Sequence, residues 1–204
     1  MITMQKEETK TPEKTEPRII YFDLETRRLA QDVGGWRNTH LMGISVAVIY
    51  DSLEKAFFSF TEEKVQDLIA ALKKADLVVG FNVKSFDYAV LGAYAGKSVR
   101  DLPTFDILED VFQRLGFRLG LDHLAGETLG TGKSADGIQA VEWFRQGEME
   151  KLTSYCKQDV AATRDLFLYG LKNGHLIYRT KKDKTRVRLI VDWALDEIIK
   201  KTGV

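Results

Sequence analysis

IIYFDLET, residues 19–26, is the stretch on which the reading of this chain turns. β-Branched and aromatic residues carry the chain into Asp23, and a second acid, Glu25, follows one residue on. Such a run reads as a buried strand. Side chains alternate across a strand, so Asp23 and Glu25 project from one face with their carboxylates close together. Like charges there repel and resist burial unless something positive lies between them. A divalent cation with oxygen ligands meets that condition. Plain solvent at an exposed strand end would also tolerate the pair, and the dipeptide pattern alone leaves both readings open.

The remainder of the 204-residue chain is ample for one domain with a sizeable core. Its 44% hydrophobic content is ordinary for a globular protein. The 30 basic residues balance 30 acidic ones, so any nucleic-acid footprint must be local. A single cysteine, Cys156, excludes an intrachain disulfide and a cysteine-based zinc cluster. The start of the chain lacks the apolar core of a secretory signal, and no apolar run approaches the roughly 18–20 residues of a membrane span. These features point to a cytoplasmic protein with no membrane partner.

Residues 1–17 form a charged, Pro-containing stretch expected to be a disordered tail. The strand at 18–24 is followed by two more, at 41–50 and 56–60, with Asp51 and Ser52 in a short link, which suggests an antiparallel hairpin. Residues 61–75 carry apolar groups at helical spacing, with Thr61 as a candidate cap. A short buried strand at 76–81 precedes a helix at 85–96. Residues 104–116 read as strand into helix, and 120–130 as a short helix. A long helix spans 148–174 and ends at Asn173-Gly174. A basic hairpin and a final helix over 196–201 close the chain. The order implies a mixed α/β sheet whose first three strands meander.

Two further acids stand in distinctive settings. Asp87 opens the helix after the fourth strand, with Asn82 closing that strand and Phe86 immediately before the acid. Asp159 follows Tyr155 by four residues on the long helix, so both lie on one helix face. An acid in a first helical turn is favoured by the dipole alone, and a tyrosine four residues from an acid can be incidental. Taken together and in order, however, Asp-x-Glu, Asn-x3-Phe-Asp and Tyr-x3-Asp resemble the DEDD superfamily of 3′–5′ exonucleases. The tyrosine is similar to that of the DEDDy branch, which includes polymerase proofreading and ribonuclease D type domains. The resemblance covers residues 18–174. It implies a ribonuclease-H-like five-stranded sheet flanked by helices, with residues 175–204 as a C-terminal hairpin-helix appendage.

The resemblance also implies a chemistry. Two divalent ions, Mg²⁺ or Mn²⁺, would be held by Asp23, Glu25, Asp87 and Asp159. Asp23 would bridge both ions, Glu25 and Asp159 would serve the one that generates the nucleophile, and Asp87 the other. Tyr155 would orient the attacking water; with an ordinary pKa of about 10 it stays protonated at neutral pH. Asn82 and the backbone of Leu24 and Thr26 would meet the terminal nucleotide, and Phe86 would stack on its base or else belong to the core. The partner would be the 3′ end of single-stranded DNA or RNA, with a helicase or polymerase as protein partner. A non-catalytic binding module and an endonuclease of the same fold are the rival readings; the complete acid set and Tyr155 favour the exonuclease.

Other polar features read more plainly. GETLGTGKS, 126–134, has five residues between Gly126 and Gly132 where a phosphate loop needs four, so no nucleotide cofactor is expected, although Lys133 is a candidate phosphate contact. Asp122 and Asp136 read as helix starters; Asp106, after a short strand, reads either as a structural acid or as one near the site. His40, His123 and His175 lack metal-ligand spacing, and Cys156 reads as packing. RTKKDKTRVR, 179–188, carries six basic residues against one acid, either a solvated hairpin tip or a grip on a strand backbone.

Overall fold

The computed structural model describes residues 16–131 and 137–203. Residues 1–15 of the tail expected over 1–17 lie outside them, as do Lys133 and Asp136. The first strand, β1 (Ile19–Thr26), is followed by two 3-10 turns, Ala30–Val33 and Trp36–Leu41, and by the hairpin β2 (Ile44–Asp51) and β3 (Ala56–Phe60). Then come α1 (Val65–Leu72), β4 (Leu77–Gly80), α2 (Asp87–Ala95), β5 (Thr104–Asp106), α3 (Ile107–Leu115), α4 (Leu121–Leu129), α5 (Gly137–Gln146) and α6 (Met149–Asn173). The chain ends with β6 (His175–Arg179), β7 (Arg186–Ile190) and α7 (Leu195–Thr202).

Five strands form one sheet in the order β3-β2-β1-β4-β5, and β6 pairs with β7 in a separate two-stranded sheet. β2 runs antiparallel to both β1 and β3, whereas β4 and β5 run parallel to β1. This is the ribonuclease-H-like mixed sheet expected from the sequence. Ile19 and Tyr21 join Val46, Val48 and Val79 on one face, covered by Leu152, Val160, Leu166 and Phe167 of α6. Ile20, Phe22 and Leu24 join Ile49 and Val78 on the other, covered by α1 and α2. Each such side chain, fully buried, contributes about 1.5–3 kcal/mol. The period-2 alternation of β1 therefore divides the core into two layers. At the end of β1 the register with β2 shifts between Glu25 and Thr26, so the sheet is irregular at the acids.

Four details differ from the expectations. The sequence reading names Asp136 as a helix starter but assigns no helix over 137–146, where α5 lies, and the two 3-10 turns have no counterpart in it. Asp51 lies in β2 rather than in the link; it is buried and accepts hydrogen bonds from Arg18 Nε at 2.9 Å and from the backbone of Leu53 at 3.0 Å. Thr61 does not cap a helix with its side chain, because its hydroxyl donates to Glu63 at 2.8 Å. The basic hairpin is partly neutralised, since Glu127 pairs with both Arg179 and Arg186. After β7, Trp193 packs on Phe167 and Phe105 and lies against Gly170 of α6, where a Cβ would come within 2.3 Å of the indole. Among the described residues, no helix is long and apolar enough to cross a membrane.

Candidate metal centre and nucleic-acid cleft

Asp23 and Glu25 continue the row begun by Ile19 and Tyr21, on the face that α6 covers. Tyr155 and Asp159, one helical turn apart on α6, meet them there. Asp23, Glu25 and Asp159 each offer a carboxylate oxygen, and these atoms all lie within 4.8 Å of one another. Asp87, the first residue of α2, is buried and accepts a hydrogen bond from the backbone N–H of Leu24 at 3.0 Å. That bond ties the start of α2 to the strand between the two acids. The four acids expected to act together therefore converge, three tightly and Asp87 from the α2 side, and they line a cleft of about 410 Å³ with Tyr155, Asn82 and Phe86.

The electrostatics are those of buried acids crowded together. Burial, and then the charges of Asp87, Glu25 and Asp159, push the Asp23 carboxyl well above the usual range. Burial and then Asp159 do the same to Glu25. Burial raises Asp87 to about 8 against the pull of two backbone hydrogen bonds. Burial and the neighbouring acids push the Tyr155 hydroxyl upward, and it hydrogen-bonds Asp159. Every charged side chain acting on Asp23, Glu25 or Tyr155 is an acid. Mutually repelling oxygen donors at this spacing suit a hard divalent cation.

The loop after β4 shapes the other wall. Asn82 adopts φ of +67°, a left-handed conformation that asparagine tolerates better than most residues. Its side-chain oxygen accepts hydrogen bonds from Ser85 at 2.8 Å and from Arg118 at 2.7 Å. Asp106, left open between site and architecture by the sequence, is the organiser of this loop. Its carboxylate accepts from the backbone N–H groups of Asn82 (2.8 Å), Lys84 (3.0 Å), Leu108 (3.0 Å) and Glu109 (3.3 Å), thereby also capping α3. The Thr26 hydroxyl donates to Arg28 O at 2.9 Å. Phe86 is half-buried: it packs on the core and also lines the cleft.

Two residues at the site were not assigned a role there from sequence. Cys156, read as packing, is indeed buried, but its sulfur also lies 3.4 Å from the Asp23 carboxylate, so the thiol donates to it. Its adjacency to Tyr155 was the available signal. Arg118 has no motif around it; it comes within reach of Asn82 only through the turn between α3 and α4. The three histidines stand apart from the cluster: His123 accepts from the Arg179 N–H at 3.0 Å, and His175 packs against Tyr169.

An α/β sheet of this order, with acids on its central strand facing an acid on the covering helix, defines a nuclease-type fold with a cluster suited to divalent ions. A family model described as the RNase_H superfamily matches residues 20–169, and the chain belongs to that superfamily. Among solved structures it is similar to the family B DNA polymerase from the hyperthermophilic archaeon Pyrobaculum calidifontis, with a TM-score of 0.57 and 18% identity. The match covers 77% of this chain and 26% of the polymerase, so the chain spans about a quarter of that protein. At that identity the likeness speaks for the fold. No curated protein matches the sequence.

Proposed function

We propose that this chain is a 3′–5′ exonuclease that removes nucleoside 5′-monophosphates from the 3′ end of single-stranded DNA or RNA. The observation that carries the reading is the meeting of Asp23, Glu25 and Asp159 within 4.8 Å, with Tyr155 hydrogen-bonded to Asp159 on the same helix face. Asp23, Glu25, Asp87 and Asp159 would hold two divalent ions, Mg²⁺ or Mn²⁺. Such ions supply charge stabilisation at the phosphoryl oxygens and make water a stronger nucleophile at neutral pH. The chain's own groups do the positioning. Tyr155 keeps its proton, because its surroundings disfavour the phenolate, and so orients the water as a donor instead of acting as its base. Asn82, held by Arg118, forms the wall against which the terminal nucleotide rests, with Phe86 at its base. Attack at phosphorus breaks the bond to the 3′ oxygen of the next nucleotide, which leaves as a 3′-hydroxyl. The likeness of this chain to part of a polymerase supports, at the level of fold, a helicase or polymerase partner that handles the same strand.

The test is degradation of matched 5′-labelled DNA and RNA strands with Mg²⁺ or Mn²⁺, beside Asp23→Ala. A ladder shortening from the 3′ end, absent in the variant, is expected. Nicking of a circular single strand would instead identify an endonuclease. Tight binding without any cleavage would leave a binding module.

A further inference from the structure

The connection between β1 and β2 presents a large, exposed aromatic side chain. Gly34 and Gly35 take φ of +80° and +109° in succession, conformations that favour glycine, and turn the chain sharply before the 3-10 turn at Trp36. The turn is held from within: Gly35 N–H donates to Ala30 O at 2.7 Å, Asn38 Nδ2 to Val33 O at 2.8 Å, and the buried Thr39 hydroxyl to Trp36 O at 2.6 Å. The rigid result leaves Trp36 72% exposed. Its indole meets Phe86 edge-on, ring centroids 6.2 Å apart.

Two clefts meet at this indole. One, of about 500 Å³, runs from Glu25 and Thr26 past Met42, Phe86 and Ile138, and so opens directly onto the acid cluster. The other, of about 460 Å³, lies on the far side of Trp36 and is lined by Arg37, His40, Ser85 and Arg100. Arg37 and Arg100 are exposed. Among the described residues, neither forms a salt bridge. A cleft lined by four acids repels a polyanion, and a chain of zero net charge offers no general attraction to offset that. Two guanidinium groups that form no salt bridge among the described residues, beside an exposed indole and continuous with the acid cleft, provide what such a strand needs: a face for bases and charge for phosphates.

We infer that Trp36, backed by Phe86, is the stacking platform for bases 5′ of the scissile bond, and that Arg37 and Arg100 hold the phosphates of that upstream strand. The inference rests on the nuclease reading of the acid cleft and adds to it a route for the rest of the substrate. The platform takes any base, because every base offers a π face.

The test measures binding of a 12-nucleotide single strand in Ca²⁺ and cleavage of the same strand in Mg²⁺, using the full chain. Tryptophan emission is followed during the binding titration; the chain has three tryptophans, of which Trp143 is half-buried and Trp193 buried. Wild-type emission should be quenched on binding, and Trp36→Phe should abolish the quench while keeping most of the affinity. Trp36→Ala should weaken binding about 5- to 150-fold, the span of one lost base stack. Arg37→Gln with Arg100→Gln should lower the slope of log affinity against log salt by about 1.4, or about 0.7 per phosphate contact. Unchanged affinity in Trp36→Ala, or a quench that survives in Trp36→Phe, overturns the inference. Wild-type binding that quenches Trp36 without any cleavage sinks the proposed exonuclease and leaves this route standing. Cleavage indifferent to Trp36 does the reverse.

Discussion

Replacing Asp23 with asparagine keeps the shape of the side chain and removes one charge from a buried cluster, so it separates what the acids do for stability from what they do for function. In the metal-free protein, burial and the other acids push the Asp23 and Glu25 carboxyls up, and burial raises Asp87 to about 8. The folded state thus favours their protonated forms. That contribution to stability is complete below their ordinary pKa values of about 4 and is lost as pH rises through the folded values, about 8 for Asp87. At pH 9 with chelator, Asp87 stands above its folded value of about 8, so its charge adds to the repulsion in wild type. If Asp23→Asn relieves one pKa unit on its neighbours, it regains about 1.4 kcal/mol, which for a chain of this size raises Tm by roughly 3–6 °C. Mg²⁺ at a hundred times its Kd should add about 2.7 kcal/mol to wild type, roughly 5–10 °C, and far less to the variant. Thermal melts at pH 5 and pH 9, with chelator and with Mg²⁺, read all of this. A variant that melts below wild type in chelator at pH 9, or gains as much from Mg²⁺, would refute the repulsive cluster as a cation site.

Three further substitutions probe separate parts. Tyr155→Phe removes the hydroxyl that meets Asp159, and should lower kcat about 10- to 100-fold with little change in strand affinity; an equal loss in both would count against orienting water. Asp106→Ala leaves four backbone N–H groups without their acceptor, and should cost about 2–3 kcal/mol in urea denaturation while Mg²⁺ affinity holds; a coincident loss of Mg²⁺ binding would make Asp106 a ligand instead. Gly170→Ala places a methyl group 2.3 Å from the Trp193 ring, so the chain should lose about 1–3 kcal/mol of stability but keep activity well below its melting point; an unchanged melt would mean that Trp193 moves aside freely.

Elements with strong periodicity were legible. The alternation in β1–β3, the helical stripe of α1 and the Gly174 stop of α6 needed only local rules, and they give the sheet and its two layers. What was missed is informative. Helix α5 was not assigned from sequence, although Asp136 before it reads as a helix starter and Gly147 after it, at φ of +75°, is a helix stop. The turn at 34–41 has its logic in two positive-φ glycines and in Thr39, whose bonds exist only once the turn is formed. Asp106 and Asp87 look alike as sequence, each an acid where a strand gives way to a helix. They differ in what their oxygens reach: two N–H groups of the loop after β4 and two of the first turn of α3 for Asp106, and the Leu24 N–H of β1 between two other acids for Asp87. Only the fold assigns the first to architecture and the second to the cleft.

The same alternation that makes the core also places the chemistry. Ile19, Tyr21, Asp23 and Glu25 occupy one row of β1, and Ile20, Phe22 and Leu24 the other. A one-residue slip of β1 would turn the apolar row toward α6 and send both acids into the layer packed by α1 and α2. The slip is opposed along both edges, by the antiparallel pairing of Ile20 through Thr26 with β2 and the parallel pairing of Ile19 through Tyr21 with β4. The Leu24 N–H bond to Asp87 adds a pin at the site itself. Burying Phe22 and Leu24 therefore holds the acids against α6, so the repulsion within the cluster is borne by core packing. Substitutions in the apolar row should reach the site through register, and those in the acidic row should relax the core.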